Sequence, residues 1–152
     1  MDESVLRAML KWPGVPVVYG WLELDRRGNW RIRGERIGNQ ALREFISRNY
    51  AADDRGRWYF QNGPQRVFVK LAYAPLVVRH EADGMVDHCG RAFFPLETWL
   101  DEEGSILFRG HAGLALLDDR DLGRYAEHAE RLPRISSHEA AARFGFDPDP
   151  KP

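Results

Sequence analysis

The fold of this chain is decided by the stretch Asp25-Arg-Arg-Gly-Asn-Trp-Arg-Ile-Arg-Gly34, whose pattern occurs twice more. The other copies are Asp53-Asp-Arg-Gly-Arg-Trp-Tyr-Phe-Gln61 and Asp101-Glu-Glu-Gly-Ser-Ile-Leu-Phe-Arg-Gly110. Each copy reads Asp-x-x-Gly-x-apolar-x-apolar-Arg/Gln. An Asp that can accept a hydrogen bond from the backbone two residues on, followed by a Gly that tolerates positive φ, is typical of a hairpin turn. The alternating apolar residues after the Gly predict a strand with one buried face.

The spacing of the copies argues against a regular solenoid. The second Asp lies 28 residues after the first, and the third lies 48 residues after the second. Solenoid repeats would keep one period. We therefore predict an α+β fold in which repeated antiparallel β-hairpins pack with a few helices.

Helices are predicted near both ends and in the middle of the chain. Asn39 is a good N-cap for a central helix over residues 39–50, where Leu42, Phe45 and Ile46 recur at helical spacing. Residues 3–11 predict a short amphipathic helix, and C-terminal helices are predicted after Asp118 and after a capping box at Ser136. Pro75 restricts the strand that follows it to an edge or a bulge.

These elements predict four segments along the chain. They are an N-terminal helix with its lead-in segment (1–19), a first helix-plus-hairpin motif (20–80), a second, more divergent motif with the C-terminal helices (81–146), and a disordered, proline-rich tail (147–152).

Composition sets the class of protein. With 152 residues, 43% of them hydrophobic, the chain can bury a core. The first ten residues contain Asp2 and Glu3 and no long apolar run, so they predict neither a signal peptide nor a membrane span. The single Cys89 excludes an internal disulfide. We expect a cytoplasmic protein with no membrane partner.

Charge is unevenly distributed. Residues 20–66 hold ten Arg and six acidic residues, whereas the remainder of the chain from Val67 holds ten basic and fifteen acidic residues. Arginine with interleaved aromatic rings can bind nucleic acid, because guanidiniums neutralise phosphates and rings stack on bases. The excess of +4 falls short of the usual basic footprint, so we do not expect a nucleic-acid partner.

A resemblance to a known family is carried by motifs spread over residues 20–117. They are Leu24-Asp25, Gly28-Asn-Trp30, Arg33-Gly34-Glu35-Arg-Ile37-Gly38, Gly56-Arg-Trp58-Tyr59, Gly63-Pro64-Gln-Arg-Val67, Tyr73-Ala74-Pro75 and Arg109-Gly110. The succession is similar to an uncharacterised proteobacterial family whose members are known as domains of unknown function. The resemblance implies an α+β fold with two related helix-and-hairpin motifs around a cleft, and a role in ligand sensing or signalling. It implies no catalytic residues.

Candidate metal ligands crowd ten positions of the chain: His80, Glu81, Asp83, Asp87, His88 and Cys89. Imidazole, thiolate and carboxylate are ligands that transition metals prefer. The spacing matches no zinc motif, and Ala82-Asp83-Gly84 predicts a hairpin turn. We therefore expect a solvated turn without metal. The alternative is a metal-assisted enzyme that uses His80, Asp87, His88 and Cys89.

Other catalytic signals are weak. The chain has no Gly-x-Ser-x-Gly elbow, no phosphate-binding loop and no dinucleotide fingerprint. We expect no cofactor, and the sequence favours a protein that is not an enzyme.

A ligand site is predicted where the two motifs meet. Polar groups at strand ends converge there, and the candidates are Asn62, Gln65, Arg66, Arg109 and His111. Arg66 and Arg109 are the candidates for an anionic group, because a guanidinium offers a fork to carboxylate or phosphate. The favoured function is a non-catalytic ligand- or protein-binding module, with the role in sensing or signalling that the resemblance implies. The metal-assisted enzyme is the second alternative, and nucleic-acid binding through residues 20–66 is the third.

Overall fold

The computed structural model describes residues 1–12 and 14–152 and divides into two units. The first unit contains Met1–Asp25, Asn29–Ala72 and Phe146–Pro152, and the second contains Arg26–Gly28 and Tyr73–Gly145. The α-helices of the described chain are α1 (Glu3–Lys11), α2 (Gln40–Arg48) and α3 (Ala140–Phe144). The strands are β1 (Val18–Leu24), β2 (Trp30–Ile32), β3 (Glu35–Arg36), β4 (Tyr50–Ala52), β5 (Trp58–Asn62), β6 (Gln65–Leu71), β7 (Leu76–Glu81), β8 (Gly84–Asp87), β9 (Ala92–Phe93), β10 (Glu97–Leu100), β11 (Ile106–Gly110) and β12 (Gly113–Leu117). The predicted α+β class with repeated hairpins is confirmed.

Each unit contains one six-stranded sheet of the same topology. In the first sheet the order is β3-β2-β1-β6-β5-β4, and in the second it is β9-β8-β7-β12-β11-β10. Neighbours within each half are antiparallel, and the two halves join through a parallel pair, β1 with β6 and β7 with β12. Each sheet is therefore two three-stranded meanders, so the duplication involves whole sheets rather than single hairpins.

The observed units meet at Ala72–Tyr73, whereas the predicted boundary falls after His80. The difference arises from β7, which pairs in parallel with β12 and antiparallel with β8. The prediction offered an edge strand or a bulge for β7; the edge position is wrong, because β7 is an interior strand. Pro75 is compatible with this position because it precedes the first residue of the strand and removes no ladder hydrogen bond.

The predicted Asp-Gly turns are confirmed in detail. In each, the backbone N–H of Asp25, Asp53 or Asp101 donates to the carbonyl of the residue four positions on, at 2.9–3.0 Å. The Asp53 and Asp101 carboxylates each accept two backbone N–H groups, from the residues two and four positions on. The glycines have φ between +74° and +85°, which a side chain disfavours.

A fourth turn of the same kind begins at Asp87. Its Oδ1 accepts the backbone N–H groups of Cys89 and Arg91, at 2.8 and 3.0 Å, and Gly90 has φ +84°. The alternation of buried and exposed side chains that follows the other turns is displaced by one residue here, because Phe93 is buried while Ala92 and Phe94 are exposed. In the sequence, Ala92 and Phe94 keep the apolar positions of the pattern, but Pro95 stands where the other copies have Arg or Gln.

The core of the first unit lies between its sheet and α2. Asn39 caps α2 through its side chain, as predicted, and the helix ends at Arg48, so Tyr50 begins a strand instead. Trp30 is 2% exposed and donates from Nε1 to Ser47 Oγ at 3.0 Å. The Tyr50 ring contacts both Trp30 and Trp58. Both tryptophans are buried, which agrees with the one buried face predicted for the strands after the turns.

The second sheet is covered by the segment that follows β12. This segment contains two 3₁₀ helices, Asp119–Tyr125 and Ala129–Arg131, in place of the α-helix predicted after Asp118. The Tyr125 ring packs on Phe108, and Phe144 of α3 packs edge-on against Trp99. The predicted last helix forms and ends at Gly145, but Glu139 makes no side-chain capping bond there.

The C-terminal residues differ from the predicted disordered tail. The N–H of Asp147 donates to the Gly56 carbonyl, and the N–H of Leu71 donates to the Pro148 carbonyl, at 2.9 and 2.8 Å. Proline lacks an N–H donor but keeps its carbonyl acceptor, so a proline-rich segment can still pair with a strand end. Within the part of the chain that the structure describes, none of the helices has the length and apolar character needed to cross a bilayer.

Candidate functional site: a groove with an arginine

A groove of about 360 Å³ lies in the first unit between the N-terminal segment and the β5–β6 hairpin. Its lining comes from α1 and the residues before β1 on one side and from the hairpin on the other: Met9, Val15, Val17, Gln61, Pro64 and Arg66. Asn62 and Gln65 pair at the end of the hairpin, which leaves only Gly63 and Pro64 in the turn. Four of the six lining residues are thus apolar, and the other two bring an amide and a guanidinium.

Arg66 is held by two neighbours on its own sheet. Its guanidinium carbon lies 3.8 Å from the centroid of the Tyr59 ring, and its Nε donates to Gln61 Oε1 at 3.4 Å. Tyr59 pairs with Phe68 and Gln61 with Arg66 in the β5–β6 register, so these side chains share one face of the sheet. Among residues 1–12 and 14–152, no carboxylate forms an ion pair with Arg66.

Gln61 fixes the orientation of this arginine. Its side chain is 2% exposed, and its Nε2 donates to the Gly63 carbonyl at 3.1 Å, which leaves Oε1 as the acceptor for Arg66. The sequence prediction did not include Gln61. A signal was present, because a polar residue ends the apolar run of Trp58, Tyr59 and Phe60 inside the strand.

The predicted site residues divide between the two units. Asn62, Gln65 and Arg66 lie in the first unit, but only Arg66 lines the groove; Asn62 is exposed at the hairpin end and Gln65 is half-buried. Arg109 and His111 lie in the second unit. Arg109 donates to Glu97 Oε1 at 3.1 Å across the β10–β11 pair, and this hydrogen bond lowers the pKa of Glu97. His111 is exposed in the β11–β12 turn.

A second cavity, of about 390 Å³, lies in the second unit and is strongly charged. Its lining comprises Arg27, Arg79, His80, Asp118, Arg120 and Asp121. All three arginines already have a carboxylate partner: Arg27 pairs with Asp119, Arg79 with Glu81 and Arg120 with Asp118. The hydrogen bond from Arg120 lowers the pKa of Asp118. An anionic ligand would have to displace these carboxylates, so this cavity is a weaker anion site than the groove.

The backbone and the side chain of His80 both make polar contacts inside this cavity. Its Nε2 lies 2.7 Å from the Tyr125 hydroxyl, and its backbone N–H donates to Asp121 Oδ2. Burial, with the nearby Arg124 charge, lowers the pKa of His80, whereas burial raises the pKa of Tyr125. Both shifts favour neutral side chains near pH 7.

Asp87, His88 and Cys89, the other ligands of the metal alternative, lie in the fourth turn, whereas Glu81 pairs with Arg79 and Asp83 lies in the turn between β7 and β8. The Asp87 carboxylate caps the backbone of its own turn, and His88 Nδ1 accepts the N–H of Val77 at 3.2 Å. Burial raises the pKa of Asp87 against the opposing effect of these backbone hydrogen bonds. In the described part of the chain, no three or more His, Cys, Asp or Glu residues are grouped so that they could hold a metal ion.

The fold and this groove define a class of protein: a duplicated α+β protein of antiparallel hairpins, with a recess but no recognisable catalytic constellation in the described residues. The chain belongs to the family DUF2944, which is described as "Protein of unknown function (DUF2946)" and whose model matches residues 1–150. The resemblance predicted from the sequence motifs, to a family of unknown function, is thereby confirmed.

Two crystal structures of DUF1285 family proteins share the fold. The protein from Silicibacter pomeroyi DSS-3 is 17% identical, with a TM-score of 0.52 over 84% of this chain and 85% of that one. The protein from Shewanella baltica OS155 is 13% identical, with a TM-score of 0.52 over 70% of this chain and 90% of that one. No curated protein matches the chain significantly. Neither the family nor these neighbours indicate a catalytic function.

Proposed function

We propose that this protein is a non-catalytic binding module whose first unit holds a small organic anion with an apolar body. The observation that carries the proposal is Arg66, an arginine without a carboxylate partner among the described residues, in a groove where four of the six lining residues are apolar. Ligand sites typically combine apolar side chains with a few oriented polar groups, and this groove offers both. A binding module of this kind suits the predicted role in sensing or signalling.

The arrangement around Arg66 favours carboxylate recognition. Stacking on Tyr59 holds the guanidinium plane, and the bond to Gln61 uses only its Nε, so the two terminal nitrogens can donate to a ligand. A planar fork held in place loses little side-chain entropy when it binds an anion. The methyl and methylene groups of Met9, Val15, Val17 and Pro64 would contact the apolar body.

The volume sets the size of the ligand. A groove of about 360 Å³ holds on the order of a dozen water molecules at the volume of liquid water, and therefore a ligand on the order of a dozen non-hydrogen atoms. Ligands of that size bind in the millimolar to micromolar range at ordinary ligand efficiencies, so the experiment needs ligand concentrations up to about 10 mM.

The test uses matched acids and amides. Phenylacetate and hexanoate, with phenylacetamide and hexanamide as uncharged controls, are titrated into the protein while the backbone amide resonances are recorded by NMR. We expect the acids, but not the amides, to shift resonances of residues 61–66. Arg66→Ala should weaken acid binding at least about tenfold, as expected for a charge-assisted hydrogen bond.

The matched control is Arg55→Ala, which removes another arginine of the first unit from an exposed turn. This variant should bind the acids as the wild type does. Acid binding that Arg66→Ala leaves unchanged, or no acid-specific shift at residues 61–66 at 10 mM, would overturn the proposed site.

A further inference from the structure

The second unit contains a further recess, of about 330 Å³, between the end of β10 and the segment that precedes α3. Its apolar part consists of Leu100 and Ile135, which are 7% and 5% exposed. The recess shares no lining residue with the groove or with the charged cavity. A ligand bound here would therefore be independent of both.

The two walls of this recess are fastened to each other. The Leu100 N–H donates to the Pro133 carbonyl at 2.9 Å, and the Ile135 N–H donates to the Leu100 carbonyl at 3.0 Å. Beside them, the Ser137 N–H donates to Glu102 Oε1 at 2.8 Å. Because these hydrogen bonds form without a ligand, binding requires little ordering of the chain.

Two opposite charges line the recess without a partner. Arg134 and Glu139 are both exposed, and neither forms an ion pair, with the other or with any residue in the described ranges. Arg109 and Glu97, which are partly exposed in the same unit, do form such a pair. The separation of Arg134 from Glu139 therefore leaves room for a ligand that carries both charges.

A second carboxylate strengthens the negative side of the recess. Glu102 accepts hydrogen bonds from the side chain and the backbone of Ser137, and these bonds lower the pKa of Glu102, so it is ionised at pH 7. Glu102 and Glu139 together suit an ammonium group, which has three donors to share between them. The guanidinium of Arg134 suits a carboxylate, which it can bind with two parallel hydrogen bonds.

We propose that this recess binds a free α-amino acid with an apolar side chain. The ligand carboxylate would accept hydrogen bonds from Arg134, its ammonium group would donate to Glu139 and Glu102, and its side chain would contact Leu100 and Ile135. A volume of about 330 Å³ holds on the order of a dozen non-hydrogen atoms, which suits an amino acid of the size of leucine. A simple acid or a simple amine would satisfy only one of the two unpaired charges.

The test compares L-leucine with two analogues that each lack one charge. They are 4-methylpentanoate, which is leucine without the ammonium group, and 3-methylbutylamine, which is leucine without the carboxylate. Each is titrated to about 10 mM while the backbone amide resonances are recorded by NMR. Leucine should shift resonances of residues 100–102 and 134–139 and should bind at least about tenfold more tightly than either analogue. Binding of 4-methylpentanoate to the groove would be read separately, at residues 61–66.

Two variants assign the charges. Arg134→Gln should weaken leucine binding at least about tenfold without weakening the amine, whereas Glu139→Gln should weaken both leucine and the amine. Arg131→Gln and Glu130→Gln, at exposed positions of the neighbouring 3₁₀ helix, are the matched controls and should bind leucine as the wild type does.

Three results would overturn the proposal. They are the absence of a leucine-dependent shift at residues 134–139 at 10 mM, leucine binding no tighter than that of both analogues, and a leucine affinity that neither Arg134→Gln nor Glu139→Gln reduces. The groove proposal is tested by other ligands and at other residues, so either proposal can fail while the other stands.

Discussion

The two units have the same strand order but different coverings. In the first unit the meanders are joined by a connection that contains α2, whereas in the second only residues 94–96 join β9 to β10. The second sheet instead receives Tyr125 and Phe144 from the segment after β12. The turns and ladders are therefore the shared part of the duplication, and the covering elements are the part that has diverged.

The same contrast applies to charge. In the second unit the three arginines of the cavity are all neutralised by neighbouring carboxylates. In the first unit Arg66 is held by an aromatic ring and an amide, which orient the guanidinium without neutralising it. Two recesses of similar volume thus differ in whether their positive charge is available to a ligand.

The largest expected effect is on the free energy of unfolding, and it comes from removing a tryptophan that packs against the helix covering each sheet. Trp30→Ala should lower the free energy of unfolding by about 3–5 kcal/mol, because the ring is almost fully buried between the sheet and α2. Trp99→Ala in the second unit should cost less, because Trp99 is only half-buried against α3. Urea denaturation measures both, with the exposed Trp12→Ala as the control. Equal losses at Trp30 and Trp99 would contradict the difference in covering.

The next effect compares equivalent glycines of two turns. Gly104→Ala should cost about 1–2 kcal/mol, the usual penalty for a side chain at left-handed φ, since nothing lies within 4 Å of its new Cβ. Gly28→Ala should cost about 1–3 kcal/mol more, because its Cβ would lie 2.6 Å from His88 Cβ within the second unit. Thermal and urea unfolding of the two variants provide the comparison. A loss at Gly28 no larger than that at Gly104 would mean that His88 moves away freely.

Local chemistry explains which parts of the fold were predictable. The turns at Asp25, Asp53 and Asp101 and the cap at Asn39 are set by side chains that bond their own backbone neighbours, so the sequence pattern alone reveals them. The parallel pairing of β7 with β12 joins segments far apart in the chain and leaves no local signal. The fourth turn, at Asp87, has most of the local signal, but Pro95 stands where the other three copies have Arg or Gln.

The candidate site was only partly predictable for the same reason. Arg66 follows a recognisable hairpin break, so its position at a strand end could be expected. The apolar wall of the groove comes from Met9 of α1 and from Val17, which directly precedes β1, and no spacing rule relates residues 9 and 66. Arg109 has the same sequence signal as Arg66, yet it pairs with Glu97 across a strand register that the pattern does not reveal.

The smallest effect compares the carboxylates of two equivalent turns. Burial alone would raise the pKa of Asp53, but hydrogen bonds from the backbone and side chain of Arg57 have the larger effect and lower that pKa below 3.8. At Asp87 the effect of burial is the larger one, and the pKa is raised. Ionised Asp53 therefore adds stability above pH 3.8, and this stability is lost as the pH falls through the folded pKa. Protonated Asp87 adds stability at low pH, and this stability is lost as the pH rises through its folded pKa. An Asn side chain keeps the oxygen that caps the turn but carries no charge. Asp53→Asn should therefore destabilise the protein at pH 7, whereas Asp87→Asn should not. Both differences in stability from the wild type should shrink below pH 3.8. The melting temperatures of the two variants and the wild type between pH 3 and 7 measure these differences. Changes of the same sign in the two variants would show that the two turns do not differ in the balance between burial and hydrogen bonding.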